Sequence, residues 1–276
     1  MILPCPICRQ ERHAPVTEWL RGSAYHRCAS CGVEFIEPRP GTAPVFPDYS
    51  AHAARVLEQA NDRWTMLNAE QPSEYYARQW ARTHLPAGAV TLELYAETGR
   101  LAWWLRRAGF QVQAADPVAT HAAVLRDYGF TVAQGQLDDI PVEWPAPAAI
   151  FVLESIVRVL DPRGLIEGVR DRWPTAAVFI TAPSALRSLK LPGSESRGYL
   201  PPDFVTRWDS NALQRLLATC GYRAHARPIT PGLVSRLPLS RPKRRLINLA
   251  RAMLLRANGE YVFSECAWGL PAPPAP

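Results

Sequence analysis

The sequence predicts an α/β protein in which a parallel sheet is covered on both faces by helices, with a small cysteine-rich module at its N-terminal end. Three observations carry this. From residue 89 onward short apolar runs alternate with helical patterns, as successive strand–helix units do. Two C-x2-C pairs stand ahead of that alternation. The 276 residues, 47% hydrophobic and 20% charged, suffice for one large core plus an appendage.

"CPIC" (Cys5, Cys8) and "CASC" (Cys28, Cys31) are separated by 19 residues. A two-residue gap lets both thiolates of a pair face one ion, and two pairs complete a tetrahedral shell, so the spacing points to a zinc ribbon with these four ligands. Gly32, directly after the second pair, suits the tight turn that aims backbone amides at the sulfurs. The alternatives are two disulfides or four free thiols; disulfides are disfavoured in a chain without a secretion signal. A closed four-thiolate site leaves no open coordination position, so the metal would be structural and would hold together a segment too short to build its own core. His26 reads as a packed histidine or a substitute ligand. Cys220 and Cys266 lie in apolar patterns and read as core.

The expected organisation is a zinc ribbon over 1–40, linker helices over 41–84, the α/β domain over 85–270 and a disordered tail over 271–276. In the linker, prolines of "EFIEPRPGTAPVFPDY" preclude a long regular element, and one or two helices follow, the second being "SEYYARQWARTHL". Then come "AVTLELY" as a strand, "GRLAWWLRRAG" as a helix ended by Gly109, "FQVQAAD" as a strand and "ATHAAVLRDYG" as a helix. "FTVAQG", "AAIFVLES" and "AAVFITAP" read as further strands, with a short helix near "GLIEGVRDRW". "SNALQRLLATCGY" is an amphipathic helix with Ser210 as its cap, "RAHARPI" a strand, and "EYVFSECAW" a closing strand. Ligands of such sheets bind at the carboxyl ends of the strands.

The net charge of +6 is local: between Arg236 and Arg256 stand seven Lys or Arg and no acid, leaving 24 basic and 25 acidic residues elsewhere. The helix over 241–257 carries that charge beside an apolar stripe. It reads as a helix packed on the sheet with a solvated basic edge, or as a peripheral contact with an anionic membrane or lipid-linked phosphate. Nucleic-acid binding is disfavoured, because the ribbon has no dense cluster of Lys interleaved with aromatics. No apolar run reaches the roughly 18 residues of a membrane span and no signal peptide is evident, so a cytoplasmic location is expected.

Cys-x-x-Cys, Cys-x-x-Cys-Gly, "EPRP", then a strand ending in an acid and a helix form an ordered set. In this the chain resembles bacterial class I S-adenosylmethionine-dependent methyltransferases with an N-terminal zinc ribbon, including those of sugar and polysaccharide biosynthesis. The likeness covers nearly the whole chain, through "AADP", "VLDP", "ITAPS" and "YLPPDFVTRWDSNALQRLLATCGY". It implies a Rossmann-like seven-stranded methyltransferase sheet, S-adenosylmethionine as cofactor, and methyl transfer to a small-molecule acceptor such as a sugar or polysaccharide precursor. On the matching positions, Glu93 is the acid before the glycine loop, Gly99 the last glycine, and Asp116 the acceptor for the ribose hydroxyls. Gln136 lies where relatives place an acid for the adenine amino group, with Asp138 or Asp139 as substitutes and the amide of Leu137 free to meet a ring nitrogen.

Several motifs depart from the family pattern. Tyr95 and Glu97 replace glycines, so a positive φ at either is strained by about 1 kcal/mol or more. Val157-Arg158 stands for the family's Glu-His, and Pro201-Pro202-Asp203-Phe204 for its Pro-Pro-His-His. The resemblance then leaves Asp203 as a base and Arg158 as a holder of an anionic substrate group, or both as ordinary surface residues. Tyr199 and Trp208 suit a sugar ring or belong to the core. A catalytically degenerate member, retained as a scaffold or binding module, is the competing reading.

Overall fold

The structure, a computed structural model, describes residues 4–11, 13–15, 24–37, 48, 51, 71–184, 204–229 and 264–272. The first linker helix, the basic helix over 241–257, Tyr199, Asp203 and residues 273–276 of the tail lie outside them. No helix among the described residues is long and apolar enough to cross a membrane.

At the N-terminal end β1 (His13–Pro15), β2 (Ala24–Cys28) and β3 (Glu34–Glu37) run antiparallel. Helix α1 (Pro72–His84) follows, opened by a reciprocal cap in which Gln71 N donates to Glu74 Oε2 at 2.8 Å and by a proline in its first turn. The main sheet is then built from β4 (Val90–Leu94), β5 (Gln111–Asp116), β6 (Thr131–Gln134), β7 (Ala149–Leu153) and β8 (Ala177–Pro183). Between them lie α2 (Arg100–Arg107), α3 (Ala119–Asp127) and α4 (Pro162–Arg172). Gly109, at φ 94°, reverses the chain after α2. Helix α4 starts earlier than its apolar pattern suggests, because Asp161 caps it by accepting Gly164 N at 3.1 Å and Pro162 takes the first turn.

After β9 (Thr206–Arg207), helix α5 (Ser210–Thr219) and the hairpin of β10 (Tyr222–Ile229) and β11 (Ser264–Pro271) complete the described chain. The cap of α5 is Asp209, whose carboxylate accepts Ala212 N at 2.7 Å, and not the expected Ser210. Ser210 is the first helical residue, and its hydroxyl donates to the buried Glu265.

The seven strands lie in the order β10-β11-β8-β7-β4-β5-β6. The five from β8 to β6 are parallel, as expected, whereas β11 is antiparallel to both β8 and β10. β11 alone is reversed: antiparallel to both neighbours, it leaves β10 running in the direction of the five parallel strands. Strand order reverses between β4 and β7, placing the switch point of the sheet there. Cys220 and Cys266 are buried, as is Trp208, whose indole N–H donates to Thr206 Oγ1 at 2.9 Å.

The cysteine-rich module is sewn to this body by strand addition. β9 pairs with β3 through Glu34 opposite Arg207 and Phe35 opposite Thr206. Ile36 N donates to Val205 O at 3.0 Å, and Val205 N donates in turn to Val157 O at 2.8 Å beyond β7. Ile7, Val33 and Phe35 share one apolar cluster with Leu92, Leu94 and Val152 of the main sheet.

Candidate functional site

The turn after β4 is where the sheet's ligands are expected. Tyr95 N and Ala96 N both donate to Ala115 O of β5, at 2.8 and 3.3 Å, and Gly99 N closes the turn on Ala96 O at 2.7 Å. This path forces left-handed backbone at Tyr95 (φ 58°), Glu97 (φ 46°) and Gly99 (φ 67°). All three expected glycine positions therefore have the glycine conformation, although two carry side chains at about 1–2 kcal/mol each. After β7, Glu154 is also left-handed (φ 58°), its N–H donating to Thr181 O at 2.9 Å.

A carboxylate holds the strained turn. Asp116, 1% exposed at the end of β5, accepts Glu97 N on Oδ2 at 2.7 Å and Val118 N on Oδ1 at 2.9 Å. The fully buried His121 ring lies with Nδ1 3.1 Å from the same Oδ1, and its Nε2 is 3.8 Å from Asp48. Sequence reasoning passed over His121, whose signal was a lone imidazole on the apolar face of α3, just over one turn past the acid.

Beside this turn lies a cavity of about 300 Å³. Tyr95 and Arg158 wall it from the turns after β4 and β7, Gln136, Leu137 and Asp138 from the turn after β6, and Asp161 and Gly164 from the start of α4. Glu93, Gly99 and Asp116 are buried behind it, and Asp203 is outside the described residues. Asp139 is committed to Gln136 N at 2.8 Å, so of the two neighbouring acids Asp138 is the one in the cavity wall. Arg158 is 8% exposed, with its guanidinium 5.0 Å from the centre of the Phe204 ring.

The surroundings are rich in acid. Burial, and next the Glu74 carboxylate, hold Glu93 well above the usual carboxylate range, while its Oε2 accepts Ala102 N at 2.9 Å. Burial also raises Glu97, against the pull of Arg158. The Tyr95 phenol is pushed up to about 12 by burial and by Asp116. In each case burial favours the protonated, neutral form.

The second cluster is in the ribbon. The Sγ atoms of Cys5, Cys8, Cys28 and Cys31 lie within 4.8 Å of one another, with Cys5–Cys31 at 3.4 Å and Cys8–Cys28 at 3.5 Å. A tetrahedron with 2.3 Å metal–sulfur bonds needs sulfurs about 3.8 Å apart, so the four fit one ion. The residue after each pair is left-handed, Arg9 at φ 60° and Gly32 at φ 81°, and Ile7 N points at Cys5 Sγ at 3.4 Å. His26 stands outside the cluster, its Nδ1 3.0 Å from His13 Nδ1. The knuckles are gripped by the α/β body: Arg9 forks onto both Asp161 oxygens at 3.1 Å, Arg163 donates to Ile7 O at 3.3 Å, and Arg215 donates to Ser30 O. Asp161 thus caps α4, walls the cavity and anchors the ribbon.

No family model matches the sequence, and no curated protein matches it at a significant level. Solved structures do share the fold. A chain from the complex of the Haloferax volcanii Trm112 methyltransferase activator with a methyltransferase is similar over 83% of this chain and 100% of its own, at 16% identity and a TM-score of 0.56. The plantazolicin methyltransferase BamL, bound to a triazolic desmethylPZN analog and SAH, is similar over 82% and 91%, at 12% identity and a TM-score of 0.53. The plantazolicin methyltransferase BpumL with SAH is similar over 81% and 96%, at 10% identity and a TM-score of 0.52. At these identities the likeness establishes a Rossmann-like, class I methyltransferase fold.

Proposed function

We propose that the protein is an S-adenosylmethionine-dependent methyltransferase acting on a small-molecule acceptor, with a structural zinc ion on Cys5, Cys8, Cys28 and Cys31. The observation that carries the reading is the turn after β4. Tyr95 and Glu97 hold the left-handed conformation of a glycine loop at an energetic cost, and strain of this kind persists where a binding surface requires it.

The residues present fit the cofactor. A cavity of about 300 Å³ is at the small end of the ligand-pocket range, and Asp138 and Asp161 put carboxylates in its wall, the charge opposite to a sulfonium or ammonium group. When bound, S-adenosylmethionine supplies an electrophilic methyl group. Asp116, 1% exposed, uses three of roughly four carboxylate acceptor positions internally, so it has one left for a ribose hydroxyl where the resemblance implies two. Gln136, Leu137 and Asp138 would meet the adenine edge. Arg158, in front of Phe204, would hold an anionic group of the acceptor, and Asp203 would take the acceptor's proton. The acceptor class, a sugar or polysaccharide precursor, rests on the sequence resemblance and on this pairing of a cation with a ring.

A second reading, a methyltransferase-fold scaffold without catalysis, is favoured by one feature: the loop amide of Glu97 is already taken by Asp116. Thermal unfolding with S-adenosylhomocysteine separates the two. Ligand at about 100 times its dissociation constant adds about 2.7 kcal/mol. The methyltransferase reading expects a raised Tm, and an unchanged Tm at millimolar ligand supports the scaffold.

A further inference from the structure

The ribbon has no lysine, and the α/β body assembles a row of cations interleaved with aromatic rings from segments far apart in sequence. On the β10–β11 hairpin His225 stacks on Trp268 with ring centres 5.6 Å apart, and the Arg227 guanidinium is 5.8 Å from Trp268 and 4.7 Å from Tyr76 of α1. Tyr76 meets Tyr75 edge-on at 5.8 Å. Arg78 then bridges from Tyr75, at 5.5 Å, to Trp104 of α2 at 5.0 Å. Trp104 meets Trp103 at 4.8 Å, and Arg107 closes the row 4.9 Å from Trp103. A continuous ladder of cations and rings thus crosses the hairpin, α1 and α2.

These four elements expose no carboxylate. Their two acids are buried and engaged, Glu74 with Arg100 at 2.8 Å and Glu265 with Ser184 at 2.9 Å and with Ser210. Arg82, Arg107, Arg223 and Arg227 are exposed on them. A guanidinium over a ring still carries N–H groups that phosphate oxygens can accept from, and Arg107 and Arg227 present theirs at exposed positions.

We infer that this face binds single-stranded nucleic acid along its phosphate backbone, a function independent of the methyl-transfer reading. The row's exposed members are Tyr75, Arg107, His225 and Arg227, with Trp103 and Trp104 buried, and a row of cations suits a linear polyanion. Tyr75, 38% exposed, offers a ring on which a base can stack. A membrane surface fits less well, because docking there needs apolar anchors, and the large apolar side chains exposed among the described residues are only Tyr75 and Val142.

The test is fluorescence anisotropy of the full chain with a labelled oligouridylate across a salt series. The expected result is binding that weakens with salt. Replacing three arginines together (Arg78→Gln, Arg107→Gln, Arg227→Gln) is expected to weaken it at least tenfold and to flatten the log–log salt slope by about 2, since each phosphate left without its arginine lowers that slope by about 0.7. Arg223→Glu, at an exposed position outside the ladder, is expected to weaken binding several-fold without touching the packing of α1 on α2. No binding at about 50 mM salt, binding unchanged in both variants, or retention on phosphatidylserine vesicles without retention of RNA would each overturn the inference.

Discussion

The Asp116 carboxylate accepts the backbone N–H of Glu97 across 2.7 Å, joining the end of β5 to the strained turn after β4. Because its other oxygen accepts Val118 N, either orientation of an asparagine amide there sets an NH2 group against a backbone N–H. Asp116→Asn is therefore expected to cost about 1.5–3 kcal/mol, the range for a hydrogen bond to a charged group. Urea unfolding measures it, and an unchanged midpoint would contradict the clamp.

Glu93 ties stability to pH. Burial and the neighbouring Glu74 raise its carboxyl well above the ordinary value of 4.5. The folded chain keeps a proton that the unfolded chain has released, so this contribution is intact below the ordinary value and is lost as pH rises through the folded one. Tm is expected to fall as pH rises from the ordinary value of 4.5 toward the raised folded one. Glu93→Gln keeps an oxygen for Ala102 N and cannot ionise, so it should flatten the slope; an identical slope in the variant would remove Glu93 as its source.

At the seam between ribbon and body the Glu34 carboxylate accepts from the half-exposed Arg27, whose Nε is 3.1 Å away, and lies 3.6 Å from Arg207; the Glu34 and Arg207 side chains are each 4% exposed. Arg207 also lies 3.6 Å over the Tyr25 ring. Removing one partner strands a buried charge, so Glu34→Gln is expected to cost about 3–5 kcal/mol, whereas Glu34→Leu combined with Arg207→Met is expected to be near neutral. Calorimetry of the single and double variants checks this ordering; equal losses would contradict it.

Metal content offers a separate check. Carefully purified protein is expected to hold one equivalent of zinc by elemental analysis, and Cys28→Ser to lose it together with several kcal/mol of stability, since binding energy at such sites is folding energy. Because Ile7, Val33 and Phe35 share a core with Leu92 and Leu94, loss of metal should lower the Tm of the whole chain. A wild-type Tm unmoved by chelation would sever the ribbon from the body.

Much of this architecture was legible in the residues. The central parallel strands were visible because they are short apolar runs buried on both faces, as "AIFVL" of β7 and "AVFITAP" of β8 show. The four cysteines were visible because ligand spacing is local. The Asp209 cap was misread as Ser210, since both residue types cap helices and only the backbone geometry chooses between them. The antiparallel β11 was not legible, because strand direction depends on a pairing partner distant in sequence. His121 was hidden in part for the same reason: Asp116 is near it in sequence, but only the fold brings Asp48 beside it.

The account depends most on whether the strained turn at Tyr95 and Glu97 still receives an adenosyl ligand. Isothermal titration with S-adenosylhomocysteine answers this directly when wild type and Asp116→Ala are run side by side. The methyltransferase reading predicts saturable one-to-one binding in the micromolar range, weakened at least tenfold in the variant. No heat of binding at millimolar ligand, from protein that unfolds cooperatively and holds its zinc, would contradict it.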